Sequence, residues 1–412
     1  MNRTLALVLA AGQVDELLTL TERRPKSAVP VFGIYRAIDF VLSNLMHSGI
    51  TNVGVLSQFR PYSLLRHIGS GEHWDFIGRS RTLNVLPPYR GQKESDWYKG
   101  TADAIYQNIS YIESFNPDNV LICSADHIYH MDYRPLIKSH MENKAEVTAC
   151  FTKVISKSRR FGYGVIEKNH KVTEYIEKPE KPPTNLASMT VYLFKTSTLI
   201  DLLKTNAKEN SHEFGRDLLP VLVKNKTLYG YKFRDPWYYA RTVKSYYNAH
   251  MALLGRKFDL GSWQVRTNLI ERNEKGDRVP TRITGDVSNS VVSEGCVING
   301  QVMNSVLSPG VIVEKGAIVQ DSIIFHDSFI QSDAFIKQAI CDKDVFIGEN
   351  VEIGRVGSNV ISKEYGELLE DGFTLIGKNI KIPARTRIGA NSVIFSTARS
   401  IADEIPPGST LK

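Results

Sequence analysis

The chain has 412 residues, 42% of them hydrophobic and 23% charged. That length exceeds one ordinary core and predicts two domains in a globular protein of average composition. The 51 basic and 44 acidic side chains leave a net charge of +7. No dense Lys/Arg run or aromatic-basic motif accompanies it, which sets nucleic acid aside as a partner and leaves room for a small anionic ligand.

Cys123, Cys150, Cys296 and Cys341 are far apart and form no CxxC pair. Neither a zinc site nor a disulfide framework is expected, and a reducing cytoplasm fits. No segment carries the ~20 consecutive apolar residues of a membrane helix, so no membrane partner is expected.

The first element is an apolar run after Arg3 that ends in Ala10-Ala11-Gly12. It has the outline of a short signal peptide, but a buried strand over Leu5 to Leu9 running into a glycine turn is the stronger reading. Ala37 to His47 then reads as a helix and Asn52 to Leu56 as a strand. Thr101 to Ser114 reads as a helix, and Asn119 to Cys123 as a strand ending in Ser124-Ala125-Asp126-His127. This alternation predicts βαβ units around a mainly parallel sheet. Ligands of such sheets bind outside the carboxyl ends of the strands, where Gly12 and Asp126 both fall. A helix over Val243 to Leu254 closes the domain. The expected layout is an α/β domain over 1–255, a linker over 256–285 and a second domain over 286–412.

The second domain is built on a period of six. Val306, Ile312, Ile318, Ile324, Ile330 and Ile336 recur at that step, and Ile376, Ile382, Ile388 and Ile394 repeat it. A helix would step three and four, and an isolated sheet two. A six-residue step predicts a parallel β-helix in which aliphatic side chains stack from coil to coil. Glycines such as Gly310, Gly316 and Gly354 are expected at its corners. Ser358 to Gly372 interrupts the period and reads as an inserted, solvated loop.

Eight segments of the first domain occur in the order known from one family: LALVLAAG (5–12), RAIDFVLSNLMHSGI (36–50), WYKGTADAIYQN (97–108), SADHIYHMDY (124–133), FGYGVI (161–166), YIEKPEKPP (175–183), LASMTVYLF (186–194) and SHEFGRDLLP (211–220). With the repeat domain behind them, the whole chain resembles the ADP-glucose pyrophosphorylase (glucose-1-phosphate adenylyltransferase) family. The resemblance implies a Rossmann-like nucleotidyltransferase domain followed by a left-handed β-helix. It also implies a reaction in which glucose 1-phosphate attacks the α-phosphate of ATP and pyrophosphate leaves. Such chemistry depends on positioning and charge neutralisation by Mg²⁺, Lys, Arg and backbone amides.

The resemblance gives Glu177 to the sugar hydroxyls, Lys178 to the sugar phosphate, and Ser188 and Gly162 to the same pocket. Taken alone, Glu177-Lys178-Pro179 reads as a surface turn. Gly12, Tyr98, Gly100 and Thr101 are expected at the substrates, and Lys26 and Asp126 in catalysis. Where the family has an aspartate before the Phe-Gly pair, this chain has Glu213.

The nucleotide side departs further. The family's glycine-rich loop and its arginine correspond here to Ala11-Gly12-Gln13-Val14-Asp15-Glu16-Leu17. Val14 replaces a glycine, and a β-branched residue reaches positive φ only at a cost. Glu16 replaces the arginine. Two unit like charges ~4 Å apart at an effective dielectric of 20 repel by about 4 kcal/mol, or roughly three orders of magnitude in binding. Lys26 keeps the next basic position, with Ser27 in place of the usual proline. Pro88-Tyr89-Arg90 stands where an adenine-reading glutamine is expected.

Asp126 matches the first of two metal aspartates. The second position, read from Trp237-Tyr238-Tyr239-Ala240-Arg241-Thr242, is Tyr239, with Asp235 as an out-of-register substitute. A Mg²⁺ site held by Asp126 is therefore expected to be weakened.

Two readings follow. One is a catalytically impaired, sugar-phosphate-binding regulatory subunit of glycogen or storage-glucan synthesis, working in a homo- or hetero-tetramer with a catalytic paralogue, as the family resemblance allows. The other is an active glucose-1-phosphate adenylyltransferase. A third reading, acyl transfer by the repeat domain, would need a seam histidine, and the repeats contain His326 alone.

Overall fold

The computed structural model describes residues 3–12, 15–89, 97–255, 260, 263–268 and 280–412. Gln13, Val14, Arg90 and most of the expected linker lie outside the described residues. By compactness the chain falls into two units. One comprises Met1–Gly12, Phe40–Pro61 and Ile68–Trp237, and the other Gln13–Asp39, Tyr62–His67 and Tyr238–Lys412.

The first unit is an α/β sheet. Its strands are β1 (Thr4–Leu9), β2 (Asn52–Leu56), β3 (Thr82–Leu86), β4 (Asn119–Ser124), β5 (Val147–Lys153), β6 (Gly162–Ile166), β7 (Val172–Glu177), β8 (Leu186–Lys195) and β9 (Leu228–Phe233). The order β3-β2-β1-β4-β8-β5-β9 is parallel throughout except at β8, and the hairpin β6–β7 joins β8 at one side. The run Leu5 to Leu9 is buried because β1 lies between β2 and β4 with cover on both faces, as continuous apolar strands of parallel sheets require.

The expected helix α1 (Ala37–His47) is present. The single helix expected over Thr101 to Ser114 is instead two, α2 (Thr101–Tyr106) and α3 (Ile109–Phe115). Asn108 stands at the break: its side-chain amide donates to the Ala104 carbonyl at 2.9 Å and to the Tyr98 hydroxyl at 3.1 Å. Asn side chains compete with helical backbone in this way.

The second unit contains the helix α4 (Val243–Leu254), whose Thr242 and Ser245 form a reciprocal N-terminal cap, and the left-handed parallel β-helix. Three parallel sheets of very short strands make its faces. One face stacks Ile298, Val313, Ile330, Ile347 and Ile382. The second stacks Val302, Val319, Ile336, Ile353 and Ile388. The third stacks Leu307, Ile324, Cys341, Ile376 and Ile394. All of these are buried.

The strict six-residue phase needs correction. Ile312 and Ile318 are only half-buried, and their neighbours Val313 and Val319 point inward. In these coils the step from the second face to the third is five residues, Val319 to Ile324 and Ile336 to Cys341, so a uniform count slips by one.

Corners are turned by Gly316 at φ +79° and Gly354 at φ +72°, and equally by Asn304 and Asp321 in the left-handed region. Asn and Asp tolerate that region through local hydrogen bonds. The Asn289 amide donates to Asn304 Oδ1 at 2.7 Å, and Asn304 to Asp321 Oδ1 at 3.2 Å, a polar ladder along one corner.

The interruption after Ile353 is an ordered loop rather than a freely solvated one. Leu369 is fully buried, and Tyr365 lies against Phe395 at 6.2 Å.

From Asp15 onward the early segment is fastened within this unit by polar groups. One Arg24 guanidinium nitrogen, Nη2, donates to both carboxylate oxygens of Asp342 at 2.8 and 2.9 Å. Glu22 accepts from the Ser396 amide and hydroxyl at 3.0 and 2.6 Å. The Phe32 N–H donates to His250 Nε2 at 3.1 Å.

Candidate functional site

The strand ends of the first unit meet in register. Leu9 pairs with Leu56 and Ser124, and Leu56 with Leu86. Gly12 is exposed three residues past Leu9, and Asp126 is buried two past Ser124. The Ser124 hydroxyl donates to Asp126 Oδ1, and His127 Nε2 lies 3.8 Å from the same oxygen. Tyr98 covers the ends of β2 and β3: its N–H donates to Gln58 Oε1 at 2.5 Å and its hydroxyl to the Leu86 carbonyl at 3.0 Å. Burial raises the Tyr98 phenol pKa, so this hydroxyl stays a donor.

A second cluster forms where β7, β8 and a π-helical turn over Phe214–Leu218 converge. A Cβ on Gly100 would overlap the His212 carbonyl. This close approach lets the Thr101 hydroxyl donate to Glu213 Oε2 at 2.6 Å and accept from the Phe214 N–H at 3.1 Å. Glu213 is thereby tied to the start of α2. Asp217, one turn on, accepts from the Glu213 N–H at 2.6 Å and the Ser211 hydroxyl at 2.8 Å. π-helical turns of this kind gather at functional sites.

Glu177 lies opposite Gly162 across the hairpin. Its Oε2 accepts from the Tyr175 hydroxyl at 2.6 Å, and a Cβ on Gly215 would overlap that oxygen. Ser188 is buried at a register shift in β8, where Thr190 adopts φ +52°, and its hydroxyl is 3.3 Å from that of Tyr192. Such bulges re-aim side chains. Lys178 is exposed, has φ +49° and donates its backbone N–H to the Phe161 carbonyl at 3.1 Å. Phe161 in turn meets Trp237 at 5.4 Å, and Trp237 meets His127 at 5.0 Å. Aromatic contacts therefore connect the Lys178 turn with the residue next to Asp126.

The first unit thus assembles Tyr98, Gly100, Thr101, Gly162, Glu177, Lys178, Ser188 and Asp126 around its strand ends and the β6–β8 edge. Glu16, Lys26 and Tyr239 belong to the second unit. Glu16 is half-buried, Lys26 is buried in a short turn after Pro25, and Tyr239 carries the Arg241 guanidinium 5.0 Å over its ring. Asp235 is exposed.

The two metal positions that the resemblance implies fall in different units, Asp126 in the first and Tyr239 in the second. Among the described residues no three His, Cys, Asp or Glu side chains gather as a metal site. At the position the resemblance gives to a second carboxylate is Tyr239, whose ring carries a cation over its face; a neutral phenol is a poor donor for a hard dication.

Sequence reasoning missed Tyr175, Tyr192 and Gly215. The period of two along β7 puts Tyr175 on the Glu177 face, so that signal was available. The bulge that brings Tyr192 to Ser188 has no comparable one.

The nucleotidyl transferase family model matches residues 5–256, and the GlmU-like C-terminal hexapeptide model matches 278–364. Three relatives carry the name glucose-1-phosphate adenylyltransferase. That of Fervidobacterium nodosum is 38% identical, covering 96% of this chain and 95% of that protein. That of Acetivibrio thermocellus is 37% identical over 95% and 92%, and that of Thermosipho melanesiensis 40% over 96% of each. Among the described residues no helix is long and apolar enough to cross a membrane. With the two-part fold, the ordered motifs and these relatives in agreement, the chain belongs to the glucose-1-phosphate adenylyltransferase, or ADP-glucose pyrophosphorylase, family.

Proposed function

We propose that this member is a catalytically impaired, sugar-phosphate-binding regulatory subunit of glycogen or storage-glucan synthesis, acting in the cytoplasm within a tetramer that includes a catalytic paralogue. One contrast carries the reading. The residues that the family resemblance gives to a sugar phosphate cluster around Glu177, while the positions it gives to the triphosphate and metal carry Glu16 and Tyr239 in place of Arg and Asp.

Glu177 is half-buried in a slot between two glycines. Of the roughly four lone-pair positions of a carboxylate, Tyr175 takes one, which leaves acceptor capacity for the hydroxyls of glucose 1-phosphate or a related sugar phosphate. Lys178, exposed beside it, suits the phosphate. On the nucleotide side, Glu16 repels a triphosphate and Tyr239 supplies no formal negative charge to Mg²⁺.

The second reading, an active adenylyltransferase, is favoured by the name and near-full-length coverage of the relatives. A pyrophosphate-release assay with ATP, Mg²⁺ and glucose 1-phosphate separates the two. Turnover of about 1–1000 per second, the range of ordinary enzymes, would reject the regulatory reading. Under that reading the chain alone is silent, the pair Glu16→Arg and Tyr239→Asp raises any residual rate, and mixing with an active paralogue alters the paralogue's rate or effector response.

A further inference from the structure

We infer that Tyr175 is a positioning residue that fixes the orientation of the Glu177 carboxylate and so sets which sugar phosphate the pocket accepts. This rests on the proposal that the pocket binds a sugar phosphate, and it adds a residue and a specificity role to it.

The geometry begins with the pleat. Tyr175 and Glu177 are two residues apart on β7 and share a face. Gly164 and Gly162 lie opposite them on β6. A Cβ on Gly162 would overlap the Tyr175 hydroxyl and stand 2.6 Å from Glu177 Oε2. The phenol therefore crosses the bare backbone of Gly162 to reach the carboxylate, and their hydrogen bond is 2.6 Å long. Gly162, expected from the sequence at the ligand itself, acts here as the space that admits this bond.

The hydroxyl is built in rather than adventitious. Tyr175 is 7% exposed, its ring meets Phe151 at 6.4 Å, and Tyr192 and Ser188 stand beside it. Burial, followed by the nearby Tyr192 and Glu177, holds its pKa well above the ordinary phenol value, so it stays protonated and donates. On the far side Gly215 leaves no room for a side chain. A carboxylate held by one donor and two glycines presents its remaining lone pairs in one direction. Hydroxyl stereochemistry of a hexose is read by direction, and a buried polar group left unpaired by the wrong isomer is costly.

The test is titration calorimetry of the full chain with glucose 1-phosphate and, separately, galactose 1-phosphate. Tyr175→Phe keeps the ring and its contacts, and a thermal melt monitors folding. The expected result is about a tenfold loss in glucose 1-phosphate affinity and a smaller ratio between the two sugars. In a Glu177→Gln background the same change should cost less than about twofold, because coupled residues are non-additive.

Wild-type affinity and an unchanged sugar ratio in Tyr175→Phe would overturn the positioning role alone, as would an equal loss for both sugars or an equal loss with and without Glu177. A wild-type chain that binds neither sugar phosphate would instead overturn the sugar-phosphate reading, and the positioning role with it.

Discussion

The sheet strands of the first unit run five to ten residues and end beside the candidate site residues: Gly12 after Leu9, Asp126 after Ser124, and Glu177 as the last residue of β7. The β-helix strands run two or three residues and stack Val313 on Ile330 on Ile347. In the first unit apolar residues make a platform, and the polar departures from it gather at the candidate site. In the second the same few aliphatic types repeat from coil to coil, and the polar departures are fasteners such as Arg24–Asp342. Polar changes in the first unit should therefore alter binding with little loss of stability, and changes in the second should do the reverse.

The largest effect expected from that contrast is at the fastener. Asp342→Ala leaves Arg24, which is 5% exposed, without its carboxylate, and breaking a buried pair by removing one partner costs about 3–5 kcal/mol. Denaturant unfolding measures it. A loss under about 1 kcal/mol would mean that the early segment is held by other contacts. Glucose 1-phosphate binding by the folded variant should be unaltered.

Next comes the aliphatic stack. Ile330→Ala should cost about 2–5 kcal/mol by cavity formation. Ile318→Ala, at an outward and half-buried position, should cost about 1 kcal/mol or less. Equal losses would mean that the inward phase through Val319 and Ile324 is misassigned.

In the first unit Glu177→Gln should lower glucose 1-phosphate affinity about tenfold, equal to about 1.4 kcal/mol, with a melting temperature close to wild type. A variant that melts early but binds normally would reverse the contrast at its central residue.

The last effect is gradual, spread over pH, and one in which the units behave alike. His140 in the first unit and His250 in the second are buried, and burial pushes each imidazole pKa down to about 4. Near pH 6.5, where an exposed histidine takes up its proton, only the unfolded chain binds it. The stability of the neutral, folded histidines is thus complete above about pH 6.5 and is lost as the pH falls from there toward 4, at no more than about 1.4 kcal/mol per pH unit for each. Urea midpoints between pH 7 and 4 measure the slope. His140→Gln should flatten it in part, and an unchanged slope would mean that His140 protonates in place.

Much of the architecture was legible without coordinates, because period and order are properties of the chain itself. An apolar run five residues long before Ala10-Ala11-Gly12 can hardly be other than a buried strand once helices alternate with it, and steps of six exclude both helix and flat sheet. What failed was the count within a coil. The five-residue side is decided by how each corner closes, and Asp321 and Gln338 turn theirs in the left-handed region without the glycine that would have marked them. The motif residues Glu177, Lys178, Thr101 and Asp126 could be singled out from the sequence, whereas the bulge that brings Ser188 to Tyr192 could not.

The sequence by itself determined the two-part architecture and the family, since each is a matter of pattern and residue type along one chain. Only the tertiary structure decided that the segment from Asp15 onward is fastened by Arg24 to a carboxylate 318 residues away, and that the hydroxyl of Tyr175 crosses Gly162 to hold Glu177. Those contacts depend on where a missing Cβ leaves space and where a buried charge finds its partner. Neither leaves a periodic trace in the chain.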